Sequence, residues 1–171
     1  MRYILLLVLA LGFTSVMAQS KTTESLHKKY SDALSLFFYN NTLRMLNQEE
    51  SKEFDDLIKD IEKMKFLVIK KEGTNSITPA EIKKLSTDYR SEAFEEMMTA
   101  RHEGKNFNVY MKEKNGKTEG VVVLVNDSTQ FMVMDMVGSI ELSKVSSFIN
   151  SIDRNSEIGK KIKAFSDKAL D

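Results

Sequence analysis

Residues 131–138 read FMVMDMVG, with a methionine at every second position. In a strand, alternate side chains share one face, so Met132, Met134 and Met136 form a thioether stripe. Phe131, Val133 and Val137 line the other face, interrupted by Asp135. Soft thioethers suit Cu(I), but a single strand spaces such side chains ~7 Å apart, so two sulfurs cannot share an ion without help from other strands. Met111 is the nearest candidate helper. Methionine also fills irregular cores well. The stripe therefore reads as core, with an adaptable contact surface and a copper site as the alternatives.

The preceding segment sharpens this reading. In GVVVLVN, Val121, Val123 and Val125 lie on one face and Val122 and Leu124 on the other, so both faces are apolar. Two adjacent strands of that kind imply central strands covered on each side. Further back, FNVYMKE sets Phe107, Val109 and Met111 against Asn108 and Lys112. Asn115-Gly116 is a hairpin signal between these runs, and Asn126-Asp127-Ser128 supplies a second turn. Three antiparallel strands in a meander follow. The N-terminal segment or a C-terminal helix would provide the second cover; otherwise a dimer or partner must.

Elsewhere the pattern alternates between strands and helices. Residues 22–32 read as a short helix or a loose lead-in. LSLFFYN (residues 34–40) has the aromatic density of a strand, and Asn40 or Asn41 caps the short run TLRML. Phe54, Leu57, Ile58, Ile61 and Met64 have helical spacing. KFLVIKK (residues 65–71) reads as a strand closed by Gly73. TPAE (residues 78–81) is a capping box with proline at the first helical position. Its helix carries Ile82, Leu85, Tyr89, Ala93 and Met97 and ends before Gly104. Downstream, ELSKVSSFINSI shows a helical face of Leu142, Val145, Phe148, Ile149 and Ile152, and residues 156–170 form a further amphipathic helix. The expectation is one α+β domain over residues 19–171, with its core at about 33–152. Its mainly antiparallel sheet has four or five strands packed with helices.

Residues 1–18 read as a secretory signal peptide: Arg2, an apolar run from Ile4 to Leu11, then Val16 and Ala18 before a cut at Gln19. The run is too short to span a bilayer. With 25 basic and 25 acidic residues in all, losing Arg2 leaves 24 basic against 25 acidic. Such a chain has no electrostatic pull toward nucleic acid or anionic lipid. The absence of cysteine excludes thiol nucleophiles, zinc–thiolate sites and lipid attachment after the cut. A soluble periplasmic or extracellular protein with no integral membrane segment is expected.

Chemistry-bearing residues are sparse. There are two histidines, His27 in the polar lead-in and His102 at the expected helix end, where a cation suits the helix dipole. Glu95 precedes His102 by seven residues on the same expected helix face, where a two-ligand metal site is conceivable. Glu92, Glu95, Glu96 and Glu103 read as a solvated acidic helix surface. Neither G-x-S-x-G nor H-E-x-x-H occurs. Asp135 is the most interesting acid, because burial would raise its pKa and fit it for general-acid work. A polar edge position or a lysine partner is the ordinary alternative. The sequons at Asn40 and Asn126 matter only in a glycosylating host.

The run YMKEKNGKTEGVVVLVNDSTQFMVMDMVGSIELSKV (residues 110–145), together with LSLFFYNNTLRML (residues 34–46), resembles the family of domain of unknown function 4252. These are small exported proteins of Bacteroidetes-type bacteria. The matching features are the turn at Lys112 to Lys117, the valine strand at Val121 to Val125, the apolar strand ending at Gly138, and the helix start at Glu141-Leu142. Several relatives look like lipoproteins, whereas this chain has no cysteine. The resemblance implies no activity, cofactor or catalytic residues. The function expected is therefore a non-enzymatic envelope protein. It would bind another protein or a ligand, or self-associate through an apolar sheet face. The alternatives are an enzyme with an acid site around Asp135 and a methionine-based Cu(I) protein. No catalytic, cofactor or metal residues are assigned.

Overall fold

The computed structural model describes residues 19–45, 47, 50, 52–141, 143–145 and 147. Residues 1–18, the expected leader, lie outside them. So do Leu142, Phe148, Ile149 and Ile152 of the expected helical face, and residues 156–170, where a further helix was expected. Among the described residues four defined helices, α1 (Lys21–Lys29), α2 (Asn40–Arg44), α3 (Lys52–Ile58) and α4 (Pro79–Ser91), accompany six strands. The strands are β1 (Leu34–Tyr39), β2 (Ile61–Lys70), β3 (Glu95–His102), β4 (Lys105–Lys114), β5 (Lys117–Asn126) and β6 (Gln130–Gly138). All pair antiparallel in one sheet of order β1-β2-β6-β5-β4-β3. Consecutive hairpins build β3 to β6, and β6 then closes the sheet against β2. The α+β class stands, with six strands rather than four or five.

The additional strand is β3, where helical spacing had suggested a continuation of α4. The helix instead stops at Ser91 in a Schellman motif. The Phe94 amide donates to the Tyr89 carbonyl at 3.2 Å, and the Ala93 amide to the Arg90 carbonyl at 3.0 Å. The Tyr89 and Phe94 rings pack edge-on across the motif, with centroids 5.9 Å apart. Ala93 takes the left-handed conformation (φ 65°) that glycine usually supplies, so the ordinary stop signal is missing from the sequence. Likewise the helix expected from Phe54 to Met64 ends at Ile58, and Ile61 and Met64 belong to β2. Pairing of β2 on both sides overrides the local helical spacing. Neither Asn40 nor Asn41 caps α2. The Thr42 side chain accepts from the Tyr39 amide at 2.8 Å, while Asn40 Nδ2 donates to the Ile61 carbonyl at 2.9 Å.

Both faces of the central strands are covered, as their double-sided apolarity demands. On one face α1 and α4 bury Leu26, Leu85 and Tyr89 against Leu67, Val122, Leu124, Phe131 and Val133. Residues 22–32 are thus largely helix, and the N-terminal segment is one cover. On the other face Leu43, Phe54, Leu57, Ile58 and Val145 pack against Phe66, Val121, Val123, Val125, Met134 and Met136. Each such side chain contributes roughly 1.5–3 kcal/mol on burial. Met134 and Met136 are fully inside, and Met132 packs half-buried beside them. The methionine stripe is core. No helix among the described residues is long and apolar enough to cross a membrane.

Candidate functional site

The polar exception to this interior is centred on β2 and β6, where Lys65 and Asp135 are directly opposed register partners. Both are buried, each with 1% of its surface exposed. Isolated charges there would be costly, so each must find partners. They find them on α1. The Ser20 backbone amide donates to Asp135 Oδ2 at 2.9 Å, and the Thr23 side chain hydrogen-bonds the same carboxyl. Thr23 Oγ1 in turn lies 3.1 Å from the Tyr89 hydroxyl of α4. Lys65 Nζ pairs with Glu24 and sits over the Phe37 ring, 4.6 Å from its centroid.

A second carboxylate completes the arrangement. Glu92, the C-cap of α4, accepts from the Lys21 and Thr22 amides, both at 2.7 Å. It also accepts from the Ser20 hydroxyl at 3.0 Å and the Thr22 hydroxyl at 2.6 Å. The N-terminus of α1 thus meets two acids, which answer both its unpaired amides and its dipole. At the far end of α1, Lys29 pairs with Glu81, and the Tyr30 hydroxyl donates to the same carboxylate at 2.9 Å. Glu81 opens α4 and Glu92 closes it, so the two helices lie antiparallel, joined at both ends.

The electrostatics differ between these acids. Burial pushes the Asp135 carboxyl up to about 6, against the opposing pull of the Thr23 and Ser20 hydrogen bonds and of Lys65. Burial also raises Glu92, but the hydrogen bonds from Thr22, Lys21 and Ser20 outweigh it and hold the carboxyl below its usual range. The hydrogen bond from Lys29 leads those that lower Glu81 to about 2. Burial drives the Tyr89 phenol upward, so it stays protonated.

The acids and histidines singled out in the sequence do not converge. Glu95 and His102 lie exposed on β3, three strand spacings (~14 Å) from β6. As strand residues they do not share the helix face expected for a two-ligand metal site. Glu96 accepts from Thr99, Asn108 and Arg90, and Glu103 lies 3.7 Å from His102. There is no acidic helix surface, since Glu92 is half-buried against α1 and the other three lie on or beside β3. His27 Nδ1 is 3.0 Å from the Ser35 hydroxyl, and its ring meets Phe37 edge-on at 5.2 Å. Met111 on β4 is separated from the β6 methionines by β5. Among the described residues no group of three or more histidines or acids is placed to hold an ion.

Sequence reasoning found Asp135 but missed its hydrogen-bond partners Ser20 and Thr23, the Lys65–Glu24 pair, and the place of Glu92 at the start of α1. A signal for the pairing did exist in Lys65, a charge that directly abuts the apolar run FLVI. Its use required the β2–β6 register. Chemically, the assembly is a sealed clasp that fastens α1 onto the sheet.

The class that fold and site define is an α+β domain with one open antiparallel sheet, two-sided core and a helix clasped over a buried acid. The chain belongs to the family described as Domain of unknown function (DUF4252), whose model matches residues 27–148. No curated protein and no solved structure matches it.

Proposed function

We propose that this is an exported, non-enzymatic protein of the bacterial envelope that acts by binding another protein or a ligand. The observation that supports this reading is the engagement of Asp135, the one buried acid among the described residues. Its carboxyl receives the Ser20 amide and the Thr23 side chain, within a shell of apolar core, rather than lining an approach for substrate. A general acid or base must reach the reacting atom directly or through one water. The expected cut before Gln19 supports export and leaves the clasp complete, since Ser20 is the N-cap of α1.

Two measurements test the proposal. Mass spectrometry of the chain in an envelope fraction should find Gln19 as its first residue; an intact Met1 there overturns export. Affinity capture from envelope extract should enrich a discrete partner with wild-type protein and equally with Asp135→Asn. A turnover activity abolished by Asp135→Asn in a folded protein would establish the enzyme alternative instead.

A further inference from the structure

We propose that β1 is the interface through which two copies of this chain pair, continuing the sheet across a two-fold axis. Sheet edges invite pairing, and native proteins discourage it with charge, proline or bulges. The two edges of this sheet differ sharply in that respect. β3 carries Glu95, Glu96, Arg101 and His102 and a register shift between Glu96 and Met98. β1, LSLFFY, has no charge, no proline and unbroken register with β2 from Leu34 to Tyr39. One edge is defended and the other is open.

The open edge also carries the apolar exposure. Among the described residues the exposed large hydrophobics are Phe37 (48%), Tyr39 (61%), Met45 (71%) and Met97 (42%). Three of these four lie on β1 or just past α2. Phe37 is not a loose side chain, because Lys65 sits over its face and His27 against its edge. An aromatic held in place loses little entropy when it is covered, which suits it as an anchor.

Symmetry and charge favour a second copy as occupant. Antiparallel pairing of two identical strands needs directly opposed residues on the same face, so the axis must pass through one residue. With the axis at Phe37, the two Phe37 rings meet, Ser35 opposes Tyr39 and Leu36 opposes Phe38. That register covers both exposed aromatics on the α1 face and matches apolar to apolar on the other. Asp32 precedes β1 and Arg44 ends α2 beyond it, both exposed. Antiparallel pairing brings the acidic start of each β1 beside the basic end of the other. With β3 defended, association closes at two copies rather than growing into a filament.

Sedimentation of the chain from Gln19 should give twice the chain mass at high concentration and half that on dilution. Tyr39→Lys should shift the balance to monomer at least tenfold in concentration, while its melting curve should match that of wild type at a dilution where both are monomeric, which shows that the exposed site tolerates the change. The chain has no cysteine, so single substitutions report contacts cleanly. Phe37→Cys should form a disulfide-linked dimer on mild oxidation, since opposed Cβ atoms lie ~4.5–5.5 Å apart across an antiparallel pair. Met97→Cys, at the other edge, should stay monomeric. A wild-type chain that sediments as monomer up to its solubility limit overturns the proposal. So does a dimer that ignores Tyr39→Lys and cross-links through Met97→Cys rather than Phe37→Cys. Neither result bears on the capture of a partner proposed above.

Discussion

The backbone amide of Ser20 donates to the carboxylate of Asp135 across 115 positions of sequence, at 2.9 Å and out of contact with water. That one bond joins the N-cap of α1 to β6. It makes the placement of α1 depend on the state of a buried acid.

The first prediction concerns that acid. Its folded pKa, about 6, is raised above the ordinary 3.8 by burial. The folded state therefore favours the protonated form. The stability Asp135 contributes is full below pH ~4, falls as pH rises toward ~6, and is level above that; the difference is about 3 kcal/mol. Asparagine mimics the protonated acid at every pH. Denaturant melts should show Asp135→Asn gaining about 3 kcal/mol relative to wild type between pH 4 and pH 7. A difference that stays flat over this range would remove the acid from the argument.

Glu92 has the opposite sign. Hydrogen bonds hold its carboxyl low, so its contribution is present above the unfolded pKa and is lost as pH falls through the folded one. Glu92→Ala leaves the Lys21 and Thr22 amides without their acceptor and should cost about 1–2 kcal/mol, in the range for losing a helix cap. Hydrogen exchange should quicken in α1 while β5 and β6 stay protected. Unchanged exchange at Lys21 and Thr22 would mean that the clasp is unimportant.

At the end of α4, Ala93 holds φ 65° at an exposed position. Glycine takes that conformation without the steric penalty, so Ala93→Gly should stabilise the protein by about 0.5–1 kcal/mol. Thermal unfolding should rise by ~2–4 °C. A fall in melting temperature would contradict the Schellman geometry.

The methionines provide a graded test of the core. Met45 and Met97 are exposed whereas Met134 and Met136 are buried. Peroxide followed by peptide mapping should oxidise the first pair in the native protein and spare the second until it unfolds. Copper should leave the melting temperature unchanged, because an ion bound by the native state would raise it. Val123→Asp and Met134→Asp should each destabilise severely by burying an unpaired charge. A copper-dependent rise lost in Met134→Leu would restore the metal-site reading.

The central strands were legible because their composition repeats at period two on both faces, a pattern with few other solutions. Val122 and Leu124 against Val121, Val123 and Val125 announced two covers, and the structure supplies both. EEMMTARH was not legible as β3. Its residues favour helices, the helix before it ends without glycine, and its pairing partner β4 is what makes it extended. Asp135 stood out as a charge in an apolar strand, yet nothing local pointed to Ser20 or Glu92.

The sequence by itself determined the class of fold, the double-sided core around β5 and β6, the capping box of α4 and the inward place of the methionines. These follow from periodicity and from side chains interacting within a few residues. Only the tertiary structure decided that β6 pairs with β2, that Lys65 opposes Asp135, and that α1 closes over them on Glu92. Those contacts join segments tens of residues apart. Their free energy depends on strand register and desolvation, which exist only once the sheet has formed.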